Sequence, residues 1–337
     1  MNFEECKKNL ESHVNNSREM QKINNTLTKY DWAYIHPLML GAEIKYFEKL
    51  SNENILNKET IFTFFTLRFR NYRRIAFDID AYMKVSLSLN PFCHLIDQSI
   101  ALCIQRDYAG AINTLLPVIE GSMRNYLEKR KTKFPKGKLF NTFFSCIEEE
   151  SLKIYRKSYN GSNRYLPKLN NDQIEELVIL EKEFINIWLS IITNYFSKDL
   201  YINKPKRDNV LNRHSIFHGL NPDIYYNFEN YLKVFHSIYF LIWCFSMVGE
   251  CPTLSNLDVK LINYKWKAFE KLHFISFYTY DIKASIYAPY NELDKKQFEI
   301  EKKRKFPFGC SRKYSLEKNL RLIDRCFDKI EKMPSVV

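Results

Sequence analysis

Along most of the chain, apolar residues recur at intervals of three and four, which is the spacing of one face of an α-helix. The pattern predicts helices over residues 92–106, 108–131, 140–159 and 172–196. Pro117 lies within the second of these segments, so a kink or a break is expected there. In the last segment, Asp172 and Glu175 have the spacing of a capping box, which predicts that the helix begins beside them.

The remaining segments differ in how apolar they are. Residues 4–26 are mostly polar, which predicts an exposed arm or a long surface helix. Residues 60–86 are rich in aromatic and basic side chains and are predicted to be helical, although period-two alternation also fits residues 62–69. Residues 226–249 predict a long apolar helix. Its most apolar part, residues 234–248, spans only 15 residues. Because roughly 20 are needed to cross a bilayer, we expect a buried core helix.

The composition indicates a folded, helical protein. Hydrophobic residues make up 45% of the 337 residues and aromatic residues 15%, which is enough to build a substantial core. The chain has only 8 Gly and 11 Pro, which is few for a protein made of many short strands and tight turns. The predicted fold class is therefore all-α.

The net charge of +12 favours contact with polyanions such as nucleic acid, although a lysine-rich surface without a specific role also explains it. Residues 256–337 carry 18 Lys and Arg against 11 Asp and Glu, which accounts for 7 of the 12 excess charges. Within them lies a contiguous basic run that we expect to contact RNA phosphates: Lys302, Lys303, Arg304 and Lys305.

The eight cysteines form no C-x-x-C pair, so the sequence supports neither a zinc ribbon nor a redox motif. Several of them lie in apolar runs, where a free thiol behaves as a small hydrophobic group. The N-terminus has no basic segment followed by an apolar one, so no signal peptide is predicted. We expect a reduced, cytoplasmic protein without a membrane segment.

Residues 212–219 carry the strongest functional pattern in the chain. Arg213 lies five residues before His218, and His214 follows the arginine directly. An always-charged guanidinium and an imidazole that titrates near neutral pH are the groups needed to cleave a phosphodiester without a metal. Asp208 and Gly219 are residue types that begin and end helices, which places the motif on a short predicted helix.

Two other interpretations of this pattern are open. On an ideal helix Arg213 and His218 are separated by about 140°, so the histidines could simply pack against neighbouring helices while Arg213 pairs with a carboxylate. His214 and His218 instead share a face and form an H-x-x-x-H pair. Zinc proteases with such a pair need a glutamate after the first histidine, where this chain has Ser215, and no third ligand is evident. We therefore predict no metal and no other cofactor.

The same residues resemble the Arg-x(4–6)-His signature of HEPN-domain ribonucleases from bacterial abortive-infection and antiphage defence systems. Ile119-Glu120-Gly121 and the later stretch from Asn212 to Gly219 are similar to an Ile-Glu-Gly-like and an Asn-Arg-His-x-Ile-x-His-Gly-like stretch of these proteins, in the same order. The likeness covers residues 91–250, or about half of the chain. Some family toxins carry a tyrosine two residues after the histidine. Here that residue is Leu220, so regulation by nucleotide transfer to this position is not implied.

The resemblance implies a HEPN-like helical bundle at residues 89–252, between an N-terminal helical region at 1–88 and a basic helical region at 253–337. It implies a metal-independent endoribonuclease, acting as a toxin or defence effector, that cleaves RNA by attack of the 2′-hydroxyl. It further implies a homodimer in which two motifs line one cleft, while an antitoxin or other regulatory partner stays unidentified.

The residues to which the resemblance assigns roles form two groups. The catalytic residues are Arg213, His218 and His214, and the possible supporting residues are Asn212, Glu120 and Arg207. Arg213 would stabilise charge on the phosphoryl oxygens, and His218 would act as general acid or base. Arg207, seven residues before His214, offers a second frame of the motif. The alternative function is a non-catalytic helical nucleic-acid-binding or adaptor protein.

Overall fold

The computed structural model describes residues 2–35, 41–53, 55–135, 137–162, 169–196, 212–213, 216, 225–251 and 257–278. These residues form ten α-helices and no β-strand, so the predicted all-α fold class is confirmed. The helices are α1 (Phe3–Leu27), α2 (Gly41–Asn52), α3 (Lys58–Arg70), α4 (Tyr72–Asp78), α5 (Cys93–Ile104), α6 (Tyr108–Lys129), α7 (Leu139–Lys157), α8 (Asn171–Tyr195), α9 (Phe228–Met247) and α10 (Val259–Tyr278).

The most apolar helix, α9, lies at the centre of the core. All of its residues from Phe228 to Phe245 are buried, and it packs against α3, α6 and α7. His236 is buried with them, and desolvation lowers the pKa of its imidazole to about 3, so the ring is neutral in the core. The predicted buried core helix is confirmed. Among the described helices, none is long and apolar enough to span a bilayer.

The other helices pack on one another beside this core. α5 packs on α6, α10 lies against α4 and α5, and α8 lies between α1 and α7. α1 is a packed helix and not an exposed arm, because the side that carries Val14, Met20 and Ile23 is buried. One hydrophobic cluster contains Val14, Ile119 and Phe269, so residues from all three predicted regions share a core.

Of the kink or break predicted at Pro117, the break is excluded, because α6 runs through the proline, which lies on the exposed side of the helix. One local prediction was wrong. α8 is capped by Asn170 and Gln173, not by Asp172 and Glu175, since Asn170 has an extended backbone and its side chain accepts from the Gln173 N–H. The strand alternative for residues 62–69 is also excluded, because they lie within α3.

Candidate functional site

The candidate site is built on the exposed side of α6. Asn113, Pro117, Glu120 and Arg124 follow one another at helical spacing along this side, while Leu115 and its apolar neighbours face the core. Glu120 lies at the border between the two sides, and its side chain is only 16% exposed. A carboxylate in that position needs a cationic partner, because burial disfavours its charge.

Gly121, the residue after Glu120, permits a close contact with the start of α5. A Cβ atom at this position would lie 2.6 Å from Cζ of Phe92, which is closer than real Cβ atoms approach a ring carbon. The glycine therefore allows the Phe92 ring to rest directly on α6 next to Glu120. This contact explains why the residue after Glu120 is a glycine.

Arg213 supplies the cationic partner of Glu120. Its Nη2 donates to Oε2 of Glu120 at 3.1 Å, and its Nε lies against Oε1 of the same carboxylate. The hydrogen bond from Nη2 and the ion pair at Nε place one side of the guanidinium against the carboxylate. The Arg213 side chain remains 39% exposed, so the pair lies at the protein surface and is open to solvent on one side.

The electrostatics of Glu120 reflect a balance between burial and its arginines. Burial raises the pKa of the Glu120 carboxyl above its ordinary value, and the charges of Arg213 and then Arg124 oppose that rise. Glu120 and Arg124 have the spacing of a helix ion pair, but these two described residues form none. Arg124 instead lies over the Phe134 ring, with its Cζ 5.3 Å from the ring centroid. Arg213 is thus the principal partner of Glu120.

The segment that carries Arg213 is held against α6 at a second point. Asn212 and Ile216 are buried, and the Ile216 N–H donates to the Asn212 carbonyl at 3.0 Å, as in a helical turn. The Tyr226 hydroxyl donates to the Ile216 carbonyl at 3.2 Å, and the Asn113 amide donates to that hydroxyl at 3.3 Å. Asn113 and Glu120 lie two helical turns apart, or about 10 Å, so α6 holds the segment through Tyr226 at one end of that interval and through Glu120 at the other.

The structure brings together three of the residues predicted from the sequence: Glu120, Asn212 and Arg213. The others, His214, His218, Arg207, Lys302, Lys303, Arg304 and Lys305, lie outside the described residues, as do Asp208 and Gly219. The Glu120 pair is the carboxylate contact expected if Arg213 is structural, and the same contact would also orient the guanidinium if Arg213 is functional. Asn113 and Tyr226 were not predicted. The available signal was the seven-residue spacing of Asn113 and Glu120 on one side of a predicted helix.

The described part of the chain contains no candidate site for metal binding or for thiol chemistry. No group of three or more His, Cys, Asp or Glu residues there is arranged to hold a metal ion. The six cysteines described are free. Burial raises the pKa of Cys93 to about 11 and that of Cys251 to about 12, so these thiols stay protonated and are poor nucleophiles near neutral pH.

Comparisons with protein-family models, with curated proteins and with solved structures found no match. Support for a function therefore comes from the motif around Arg213 and from the contacts that hold it on α6.

Proposed function

We propose that the protein is a metal-independent endoribonuclease with Arg213 and His218 as its catalytic residues. The observation that carries the proposal is the ion pair between Arg213 and Glu120, which holds a partly exposed arginine side chain against α6. Five N–H donors in a planar fork make arginine well suited to bind phosphate oxygens. A guanidinium that is already oriented loses little entropy when it binds a phosphoryl group.

In the proposed reaction the nucleophile is the substrate's own 2′-hydroxyl. His218 removes the hydroxyl proton, the 2′-oxygen forms a bond to phosphorus, and the bond from phosphorus to the 5′-oxygen breaks. A second acid, for which His214 is the candidate, gives a proton to the leaving 5′-oxygen. The products are a 2′,3′-cyclic phosphate and a 5′-hydroxyl. Arg213 stabilises the negative charge that builds on the non-bridging oxygens in the transition state.

Glu120 acts in this proposal as a positioning residue. It contacts Arg213 and no reacting atom is assigned to it, so its effect on the rate is exerted through the guanidinium. Asn212 has a similar supporting role, because its burial anchors the turn that presents Arg213. Removing the Glu120 charge is therefore expected to lower the rate without abolishing it, whereas removing Arg213 or His218 abolishes it.

We further propose that two copies of the chain form the active enzyme, as the family resemblance implies, with the two motifs lining one cleft. Light scattering at micromolar concentration measures the association directly. An active protein that stays monomeric over the concentration range of the cleavage assay would contradict the shared site. A regulatory partner that restrains the activity is expected for a toxin, and the described residues do not identify it.

The decisive experiment compares RNA cleavage by wild-type protein, Arg213→Ala and His218→Ala, each with and without EDTA. Wild type is expected to cleave in EDTA and to spare an all-2′-deoxy substrate, and both variants are expected to be inactive with unchanged circular dichroism. Arg156→Ala and His94→Ala are matched controls, since Arg156 also pairs with a carboxylate, that of Glu175, and His94 is exposed. Full cleavage by folded His218→Ala would contradict the assignment of His218 as a catalytic residue.

Adding Arg207→Ala, His214→Ala and a measurement of RNA binding by wild type separates the remaining alternatives. If only Arg207→Ala and His214→Ala lose activity, the second frame of the motif is the correct one. If purified wild type binds RNA but cleaves none, the protein is the non-catalytic nucleic-acid-binding alternative, and the Arg213–Glu120 pair is structural.

A further inference from the structure

α10 is held with one face against the rest of the protein. Its residues at seven-residue intervals, Ile262, Phe269 and Ser276, are buried. Two polar contacts fix the same orientation. The Lys265 ammonium donates to Oδ1 of Asp97 in α5 at 2.7 Å, and the Tyr72 hydroxyl lies 2.8 Å from Nδ1 of His273. The opposite face of α10 is thereby directed to solvent.

That solvent face carries an ordered row of residues that we call the basic–aromatic stripe: Lys260, Tyr264, Lys267 and Lys271. Their spacing of four, three and four residues keeps them within about 60° of arc over about 16 Å of helix. All four are exposed, and Tyr264 is 74% exposed. A tyrosine as exposed as this contributes little to the core, so its place between lysines is not explained by folding.

The charge of the stripe is not neutralised within the described part of the chain. Lys260, Lys267 and Lys271 form no ion pair there, in contrast to Lys265 on the buried side. Beside the stripe, Trp266 lies next to cations from both α10 and α4. The Lys267 ammonium and the Arg73 guanidinium lie 5.6 Å and 5.9 Å from the centroid of the same Trp266 ring.

We propose that the basic–aromatic stripe binds single-stranded RNA, with its lysines on the phosphates and Tyr264 stacked on a base. Proteins that bind single strands combine cationic side chains along the backbone with aromatic rings on which bases stack. The choice of RNA as the nucleic acid rests on the proposed endoribonuclease function, for which the stripe would hold substrate outside the Arg213 site. A lipid surface fits less well. A membrane-bound helix must offer its apolar face to the bilayer, and the apolar face of α10 is already packed in the protein.

The test measures binding of the full-length protein to a fluorescent 2′-O-methyl RNA of mixed sequence and about 20 nucleotides, several times a typical minimal single-strand site. This probe lacks the 2′-hydroxyl nucleophile, so binding is measured whether or not the protein cleaves RNA. The stripe variant replaces Lys260, Lys267 and Lys271 by glutamine. The control variant replaces Lys8, Lys29 and Lys182, which are exposed elsewhere, and so removes the same charge.

The stripe variant is expected to bind roughly a hundredfold more weakly at 0.1 M salt, and the slope of log affinity against log salt is expected to fall by about 2, or about 0.7 for each lost phosphate contact. The control variant should bind as wild type does. Tyr264→Ala should weaken binding about tenfold through lost stacking, and Tyr264→Phe should bind normally because it keeps the ring.

Failure of the stripe and failure of the nuclease proposal give different results. An unchanged affinity and salt slope in the stripe variant, or no RNA binding by wild type, overturns the stripe inference even if wild type cleaves RNA. Stripe-dependent binding without any cleavage supports the stripe and overturns the nuclease. Binding of wild type to vesicles with anionic lipid but not to the RNA probe assigns the stripe to a membrane surface and overturns the inference.

Discussion

The Arg213–Glu120 pair permits a quantitative prediction from a double-mutant cycle of Glu120→Gln, Arg213→Gln and the combined variant. Two unit charges about 4 Å apart interact by about 1 kcal/mol in water and about 4 kcal/mol at an effective dielectric constant of 20. Because the Arg213 side chain is 39% exposed, solvent screening moves the expectation to the lower part of that range. We predict a coupling free energy of about 1 to 2 kcal/mol, above the median of fully exposed pairs.

The coupling is measured from urea unfolding of the four proteins at pH 7. The matched control is the same cycle on Arg156 and Glu175, which pair through the same two guanidinium nitrogens but are 47% and 56% exposed, and which should couple more weakly. If the Arg213 and Glu120 substitutions are additive, or couple no more than the control pair, the Arg213–Glu120 pair does not stabilise the protein in solution. The orientation argument for Arg213 would then fail with it.

The single variant Arg213→Gln adds a pH dependence to this prediction. It removes the main charge that opposes the burial-raised pKa of Glu120, so that pKa should rise further. Neutralising a carboxyl with an ordinary pKa of 4.5 costs about 3.4 kcal/mol at pH 7. This cost is an upper limit for the stability that is lost when Glu120 has no arginine partner, because the carboxyl can take up a proton instead of staying charged.

The sign of the effect follows from proton linkage. A carboxyl whose folded-state pKa is raised stabilises the protein below its unfolded-state value, and loses that contribution as pH rises through the folded-state pKa. The deficit of Arg213→Gln relative to wild type should therefore grow from about pH 5 to about pH 7. Adding Glu120→Gln should remove this growth.

Three further predictions follow from buried polar contacts. Asp78 is fully buried, pairs with Arg74 at 2.7 Å and accepts from the Tyr239 hydroxyl at 2.8 Å, so Asp78→Ala should cost about 3 to 5 kcal/mol in urea unfolding because it leaves the Arg74 charge without its partner, and a loss below about 1 kcal/mol would contradict these contacts. Burial raises the pKa of Glu181 to about 7, while the Tyr159 hydroxyl that donates to it at 2.7 Å opposes the rise. Glu181→Gln should therefore gain up to about 3 kcal/mol relative to wild type as pH rises from about 5 to 8, and a pH-independent difference would show that the carboxyl does not titrate there. Tyr226→Phe should lose about 1 kcal/mol of stability and slow RNA cleavage, and an unchanged rate would show that the contact to Ile216 does not position Arg213.

Most helices could be predicted from the sequence, because a helix that buries one side has apolar residues that recur with the helical period. The predictions for α5, α6 and α7 rested on that pattern and the prediction for α9 rested on a nearly continuous apolar run, and all four agree with the structure to within a few residues. Helix interruptions and helix ends are details that periodicity does not decide. Pro117 is tolerated because its side of α6 is exposed, and the start of α8 is set by the backbone of Asn170.

The candidate site also has features that the sequence determines and features that only the tertiary structure determines. Its residue types and spacing, Arg213 with His218, are properties of the sequence, and so is the chemistry they suggest. The partner of Arg213 was decided by the tertiary structure. Glu120 has a correctly spaced arginine four residues away, yet it pairs with Arg213, which is 93 residues distant in the chain. Local spacing fixes only which side of α6 a residue occupies. Which charge meets a half-buried carboxylate depends on how the motif segment packs on that helix, where Asn212 and Ile216 are buried.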